Sequence, residues 1–320
     1  MKNLSVLALA LGLVSGAVTA ADLTVYTAGP KGLANQLIKD FEKVSGNKVQ
    51  VYQATTGRIL GRLKAEEARP VADVVILASW PAAMGLQSEG LLHTFTPENA
   101  DKLHDGWNGN NQLFAYSGSA LGITYNTRLV KDAPASLTTY TEDNWAGQVV
   151  IPDPTESGSA LDFISGVIAN DADKAWTLFN AWQENDIDVN GANRPALNQV
   201  VNGSKSVVLA GVDYMGYGEK AKGNPIEVIY PAEGTVIAPR PVMVLESSDK
   251  KPQAEVFVNY LLTERAQNIV AKNLLLPGRS DVKADPSRPD YAEIKQLDYD
   301  WNWMFENQAN VTKKFSAMFR

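Results

Sequence analysis

Strand-like and helix-like segments alternate along the first quarter of the chain, and this alternation is the strongest constraint on its fold. The run DLTVYT at 22–27 alternates apolar and polar side chains, which is typical of a strand. A helical pattern follows and ends at Gly46. The segments KVQVYQ and ADVVILA predict two more strands, separated by a helix that Pro70 ends. Such alternation predicts a parallel sheet covered by helices.

A long extended run, YSGSALGITYNTRLV at 116–130, interrupts this alternation. Its aromatic and β-branched residues predict a strand that crosses from one lobe to another. Further strands are predicted at 148–151 and 206–211, extended segments at 226–246 and one helical segment at 252–273, before a polar tail. We therefore predict an α/β fold of two lobes joined by extended crossovers.

The first twenty residues have the pattern of a leader that is removed. Lys2 supplies a positive start, an apolar run extends from Leu4 to Val18, and Val18-Thr19-Ala20 forms a small-residue cleavage site. This pattern predicts a secretory signal peptide at 1–20, cleaved after Ala20, and a soluble protein in the periplasm. The chain has no cysteine, so its core alone must stabilise the exported protein, and thiol chemistry is excluded.

Composition and motifs argue against nucleic-acid binding and catalysis. The formal net charge is −7 and no basic cluster is present, so no nucleic-acid partner is expected. His93 and His104 have no companion residue at metal-ligand spacing. The G-x-S-x-G motif of serine hydrolases is absent. We therefore predict a protein that is not an enzyme, with no catalytic residue and no cofactor.

The strongest candidate for a binding site is ESGSA at 156–160, between a strand and a helix. Ser157 is placed to cap that helix with its side chain. The same residues suit an anion-binding site, because the N–H groups of a helix start and the hydroxyls of Ser157 and Ser159 converge there. Gly158 would allow a ligand to approach the backbone closely. The residues alone leave both interpretations open.

The segment TTGRIL at 55–60 has a similar composition. Thr56 and Gly57 begin a helix, and Arg58 lies in its first turn, where a guanidinium can bind an oxyanion through two N–H groups. A cation is unfavourable at this end of a helix, so its position is consistent with a bound anion. A solvated Arg58 explains the sequence equally well.

Loops that follow other predicted strands supply the remaining candidates, because ligands of open α/β sheets bind at the carboxyl ends of strands. These candidates are Thr27, Ala28 and Gly29 in TAGPKG, Ser79 and Trp80 in LASW, Asp213 and Tyr214 in GVDYMGYGE, and Glu233 in YPAEGTVI. Each has a structural alternative: Trp80 as a core residue, Asp213 as a helix cap and Glu233 as part of a solvated turn.

Several of these segments, in this order, resemble the extracytoplasmic solute-binding proteins of ABC importers. More narrowly, the chain is similar to the branch that contains ferric-iron-, phosphonate- and hexose-phosphate-binding proteins. The segments that carry the resemblance, across essentially the whole chain after the leader, are TVYTAGPKG, TTGRILGRLKAE, ADVVILAS, LGITYNTRLV, IPDPTESGSA, NGSKSVVLAGVDYMGY, YPAEGTVIAPRPVMVL and LLPGRSDV.

The resemblance implies a type II periplasmic-binding-protein fold, in which two lobes close on a ligand by hinge motion. The implied division is lobe 1 at 21–118 plus 246–320, and lobe 2 at 119–245. It also implies that Ser157, Gly158 and Ser159 hold an anion. The implied partners are a small anionic solute and an ABC permease in the inner membrane, with the protein itself a monomer.

The ligand implied by the resemblance depends on the tyrosines. Ferric-iron binders of the branch have two adjacent tyrosines, where this chain has Tyr214-Met215, and a thioether is a poor ligand for ferric iron. Tyr217 is displaced by three residues. Asp213 and Glu233 instead resemble an acidic pair that binds sugar hydroxyls or an ammonium group. We therefore expect a sugar phosphate or aminoethylphosphonate, with ferric iron plus an anion as the alternative and an exported phosphoesterase as a remote one.

Overall fold

The computed structural model describes residues 23–319. The strands are β1 (Leu23–Thr27), β2 (Val49–Gln53), β3 (Val74–Ile76), β4 (Asn108–Gly109), β5 (Leu113–Asn126), β6 (Val149–Ile151), β7 (Asp188–Val189), β8 (Val207–Val212), β9 (Ile226–Ile229), β10 (Ile237–Val244) and β11 (Leu276–Pro277). The α-helices are α1 (Lys31–Ser45), α2 (Thr56–Ala65), α3 (Trp80–Ser88), α4 (Gly158–Asn170), α5 (Ala172–Glu184), α6 (Asn193–Val201), α7 (Asp213–Ala221), α8 (Lys251–Leu261), α9 (Glu264–Lys272) and α10 (Trp301–Met318).

The strands form two regions of one continuous sheet with the order β2-β1-β3-β10-β5-β8-β6-β7. In the first lobe β1 pairs in parallel with β2 and β3, and β10 runs antiparallel between β3 and β5. In the second lobe β6 pairs in parallel with β7 and β8. Helices cover both regions, which confirms the predicted α/β class.

The long strand β5 belongs to both lobes. Its first part, Phe114–Ala120, pairs with β10, and its last part, Leu121–Asn126, pairs with β8 and β9. All fourteen of its residues are buried. The extended run predicted at 116–130 is therefore a crossover strand that ends at Asn126. The Asn126 carboxamide oxygen accepts from the Arg128 N–H, a turn contact that stops the strand.

The first helix follows the prediction closely. It ends before Gly46, which has φ of 75° and donates its N–H to the Glu42 carbonyl. This left-handed conformation suits glycine because it has no Cβ.

The C-terminal quarter differs from the prediction. The helical segment expected at 252–273 consists of two helices, α8 and α9, because the Thr263 hydroxyl caps a new helix by accepting from the Ala266 N–H at 3.2 Å. The expected polar tail is helix α10, which packs against both α3 and α4 and so contacts both lobes. Asp300 caps it by accepting from the Asn302 N–H at 2.9 Å.

Within residues 23–319, none of the helices is long and apolar enough to cross a membrane. The predicted signal peptide and its cleavage after Ala20 lie outside the described residues. The predicted lobe boundaries also stay a prediction.

Candidate functional site

The site lies where helices begin at the carboxyl ends of parallel strands. In the first lobe α1, α2 and α3 follow β1, β2 and β3, and in the second lobe α4, α6 and α7 follow β6, β7 and β8. The carboxyl ends of parallel strands lie at one edge of a sheet, which brings these helix starts together. The residues of both lobes that meet there are termed the interlobe cluster: Ala28, Thr56, Ser79, Ser157, Gly158, Ser159, Asp162, Asn193, Tyr214 and Arg240.

The start of α4 supplies the hydroxyl groups of the cluster. Ser157 caps the helix by accepting from the Ala160 N–H at 3.1 Å. Ser157 and Ser159 are buried, and the Asn193 amide at the start of α6 donates to both hydroxyl oxygens, at 2.9 Å and 3.0 Å. Within residues 23–319, the N–H groups of Gly158 and Ser159 have no hydrogen-bond partner. Ser157 is therefore a cap, and two donors beside it stay free to bind an anion.

Gly158 is one of the points where the two lobes touch. A Cβ atom added to it would lie 3.0 Å from the Ser79 Cβ and 3.2 Å from the Thr56 hydroxyl. Gly57 opposite would place a Cβ 3.4 Å from the Thr155 carbonyl oxygen. The sequence predicted that Gly158 admits a ligand, whereas its nearest neighbours are side chains of the first lobe. Its lack of a side chain allows the lobes to close.

The first lobe presents Thr56 and Ser79 to this contact. Both are buried, and the Thr56 hydroxyl accepts from the Ala78 N–H at 3.1 Å. Thr55 precedes α2 without a side-chain cap, so the first N–H groups of that helix are not used by a side chain of their own loop. Ser79 caps α3 and donates its hydroxyl proton to Asp162 of α4 at 2.7 Å. This hydrogen bond joins the lobes.

Arg240 in β10 lies among these groups and is 2% exposed. One of its terminal nitrogens donates to the Ala28 carbonyl at 3.2 Å, and its guanidinium carbon lies 5.4 Å from the centre of the Tyr214 ring. Its Nε is buried without a hydrogen-bond partner. In the described part of the chain it has no carboxylate within ion-pair distance.

The other two buried arginines are paired. Arg279 and Arg288 each lie 2.7 Å from a carboxylate oxygen, of Asp281 and Asp213 respectively. A buried cation without a counter-charge is unfavourable, because the energy of leaving water is not recovered. Arg240 therefore marks a place that suits an anion from outside the chain.

The loop after β1 completes the first-lobe side. The Thr27 hydroxyl accepts from the Gly29 N–H at 2.9 Å, and the Gly29 carbonyl accepts from the Gln53 amide at 2.8 Å. A Cβ added to Gly29 would lie 3.1 Å from the Tyr116 hydroxyl oxygen on β5. These contacts hold the Ala28 carbonyl toward Arg240.

Comparison with known proteins identifies the family of the chain. Residues 69–302 match the family of bacterial extracellular solute-binding proteins. The chain belongs to this family. It is a periplasmic-type solute-binding protein, and members of the family bind small solutes and work with the permease of an ABC importer.

Relatives of this solute-binding protein are named for different ligands. A candidate 2-aminoethylphosphonate-binding periplasmic protein of Salmonella typhimurium is 24% identical over 286 residues, covering 87% of this chain and 82% of the relative. AfuA of Actinobacillus pleuropneumoniae, solved with fructose 6-phosphate, is 21% identical with a TM-score of 0.85, covering 93% of this chain and 98% of that chain. Iron-bound HitA of Pseudomonas aeruginosa is 22% identical with a TM-score of 0.82, covering 92% and 99%. The structural likenesses confirm the two-lobed fold.

In this solute-binding protein, Asp213 has a different environment from the predicted one. Its fully buried carboxylate accepts from Arg288 at 2.7 Å, from the Tyr230 hydroxyl at 2.9 Å and from the Tyr214 N–H at 2.7 Å. Both oxygens are used by the chain itself. This geometry argues against the predicted role of Asp213 in binding polar groups of a ligand.

Glu233 is exposed and lies in a separate set of contacts. Its carboxylate accepts from the Ser136 hydroxyl at 2.7 Å and from the Leu137 N–H at 3.1 Å, at the start of a 3-10 helix. Neither group belongs to the interlobe cluster. The predicted acidic pair of Asp213 and Glu233 is therefore not brought together at the site.

The remaining predicted residues lie near the cluster in different roles. Arg58 is exposed on the first turn of α2, and Trp80 is 4% exposed and packs in the main hydrophobic core. The Tyr217 hydroxyl lies 3.2 Å from that of Tyr230, on the Asp213 side, whereas the Tyr214 ring faces Arg240. The two tyrosines of the iron alternative thus have different neighbours. The described residues contain no group of three or more His, Cys, Asp or Glu residues that could hold a metal.

Sequence reasoning missed Asp162, Asn193 and Arg240. Two of them gave a weak indication of a site in the sequence. Asp162 is an acidic residue inside an apolar helix, and Arg240 lies between two prolines in an apolar strand. An ionisable residue in an otherwise buried element is the feature that could have identified both.

Proposed function

We propose that this protein captures a small organic phosphate or phosphonate between its lobes and delivers it to an ABC permease. The observation that carries the proposal is Arg240, a buried cation without a carboxylate partner among the described residues. An oxyanion of the solute would supply the missing charge and accept from the free Nε.

The starts of α2 and α4, which meet at Thr56 and Gly158, support a phosphate or phosphonate group. The N–H groups of Gly158 and Ser159, together with the uncapped start of α2, offer several donors to one anion. Helix N-termini favour anions through the same donors and the helix dipole. A tetrahedral group with three oxygens can accept from more of these donors than a planar carboxylate can.

The wider function follows from the family. We infer that the solute is held without chemical change, that the permease lies in the inner membrane, and that the mature protein is a periplasmic monomer. The net charge of −7 is compatible with an anionic solute, because surface charge is screened within roughly 10 Å whereas the donors of the site act at contact.

The geometry favours this solute over ferric iron. Burial raises the pKa of the Tyr214 phenol, and its ring already faces the Arg240 guanidinium. A ferric ion there would need a deprotonated phenol and would add positive charge beside an unpaired cation. A bound ferric ion would therefore need accompanying anions that neutralise both the iron and the Arg240 guanidinium.

A thermal-shift screen tests the proposal. The purified protein is mixed with 2-aminoethylphosphonate, fructose 6-phosphate, glycerol phosphate, inorganic phosphate or ferric citrate. A ligand at 100 times its dissociation constant should add about 2.7 kcal/mol to the free energy of unfolding. We expect a shift with an organic phosphate or phosphonate. A shift with ferric citrate alone would contradict the proposal.

The double variant Ser157→Ala/Ser159→Ala should lower the size of that shift. Removing the Ser157 cap should itself cost about 1 kcal/mol of stability, so the control is Thr263→Ala, which removes the cap of α9 in the first lobe. Both variants lose comparable stability, and only the serine variant should lose ligand affinity. Equal ligand-induced thermal shifts in both variants would exclude the two serines from the binding site.

Gly158→Ala is expected to weaken solute binding by hindering closure of the lobes. The new methyl group would lie 3.0 Å from the Ser79 Cβ, which is too close unless the lobes separate slightly. The matched control is Gly61→Ala in α2, where a Cβ meets nothing within 4 Å and should stabilise the helix by about 0.5–1 kcal/mol. Calorimetric titration gives the dissociation constants of both variants. Wild-type affinity in Gly158→Ala would contradict the expected hindrance of lobe closure.

A further inference from the structure

Asp162 lies on α4, one turn after Ser159, and its side chain reaches the first lobe. Its Oδ1 accepts from the Ser79 hydroxyl at 2.7 Å. The residue is 1% exposed. One oxygen of this carboxyl is thus fixed by the start of α3, and the direction of the other oxygen is fixed with it.

The other oxygen, Oδ2, is buried and has no hydrogen-bond partner among residues 23–319. Arg240 Nε is likewise buried without a hydrogen-bond partner among these residues. The two side chains nevertheless do not form an ion pair with each other. A solute oxyanion placed between them would accept from Arg240. It would accept from Asp162 as well only if Oδ2 carries a proton, because two anionic oxygens repel.

The surroundings of Asp162 favour the protonated carboxyl. Burial raises its pKa well above the usual range, outweighing the Ser79 hydroxyl, the Trp80 N–H and Arg240, which act in the opposite direction. The charged or titratable groups of the described chain that act on it are Arg240 in β10 and the Tyr299 phenol before α10. The pKa of that phenol is itself raised, so it stays neutral.

We propose that Asp162 is a specificity-determining residue that binds the anion of the solute through a protonated carboxyl, with Oδ2–H donating to a phosphate or phosphonate oxygen. This inference rests on the proposed function and adds that Asp162 Oδ2 carries a proton when the solute is bound. Because Ser79 and Asp162 lie on opposite lobes, opening the lobes would break their contact, and a solvated Asp162 is ionised at neutral pH. Closing on the solute then transfers one proton from solvent to Oδ2. The position beside Oδ2 accepts an oxyanion and rejects an ammonium or hydroxyl donor.

Asp162→Asn separates this role from the alternatives, because the asparagine NH₂ donates where Oδ2–H would while its oxygen still accepts from Ser79. Fructose 6-phosphate and 2-aminoethylphosphonate are titrated calorimetrically between pH 5 and 8, in two buffers of different ionisation enthalpy. Relative to Asp162→Asn, the wild-type protein should take up as much as one extra proton per solute. As pH rises, the affinity of the wild type should fall more steeply than that of the variant, by up to a further tenfold per pH unit. The variant should retain affinity within a few-fold.

Two results would overturn the inference. Equal proton uptake by the wild type and Asp162→Asn would mean that Asp162 does not titrate on binding. Loss of 2-aminoethylphosphonate binding alone in the variant would mean that an ionised Asp162 binds the ammonium. The control Asp249→Asn removes an exposed carboxylate and should leave the proton count unchanged.

If neither probe binds, the proposed function fails, and the inference that rests on it fails with it. Binding of either probe with equal proton uptake by the wild type and Asp162→Asn would overturn the inference alone.

Discussion

Arg240→Met is expected to abolish tight solute binding without destabilising the ligand-free protein. Methionine has a similar length and carries no charge, so it removes a buried cation that lacks a carboxylate partner among residues 23–319. Replacing buried charges by apolar side chains is often neutral or stabilising. Losing a buried charge that binds the anion should cost about 2–5 kcal/mol of binding free energy, roughly 30-fold to several thousandfold in affinity.

Calorimetric titration and urea unfolding measure these two effects separately. Arg128→Met is the control, because Arg128 is exposed on the turn after β5 and should change neither quantity. Wild-type affinity in Arg240→Met would show that Arg240 is not the partner of the anion. A loss of several kcal/mol of unfolding free energy would show that the chain itself compensates the charge.

Asp213→Asn is expected to destabilise the fold strongly while preserving the choice of ligand. The variant leaves the fully buried Arg288 without a counter-charge, and breaking such a pair costs about 3–5 kcal/mol. Adding Arg288→Met should restore part of the loss, because the double variant has no unpaired charge. Urea unfolding gives the free energies, and the ligand screen gives the preference.

The control for this prediction is Glu67→Gln, which breaks the exposed pair of Lys64 and Glu67 and should cost less than about 1 kcal/mol. An Asp213→Asn protein with normal stability that fails to bind any solute would restore the role that the sequence predicted for Asp213.

The fold could be predicted because its determinants are local. The alternation of strands with helices, the stop at Gly46 and the long run of β5 are each encoded within a few residues of the place where they act. The division of 252–273 into α8 and α9 was missed because one capping threonine outweighed a continuous apolar pattern. The helix α10 was missed because its apolar residues are few and are buried only by packing against two other helices.

Among the residues of the interlobe cluster, the sequence could indicate only those whose pattern is local. Ser157, Gly158 and Ser159 stand in a strand–loop–helix pattern that identifies them. The environment of Asp213 could not be predicted because its partner Arg288 lies 75 positions later in the sequence. The roles proposed for Arg240 and Asp162 depend on their burial, which is a tertiary property that residue spacing does not reveal.

The most direct test of the proposed binding site is a crystal structure of the protein with the organic phosphate or phosphonate that gives the largest thermal shift. We expect the phosphorus to lie between the lobes, with its oxygens within hydrogen-bond distance of the Arg240 guanidinium and of the Gly158 and Ser159 N–H groups. A phosphorus bound elsewhere, with Arg240 contacting only the Ala28 carbonyl as it does here, would contradict it.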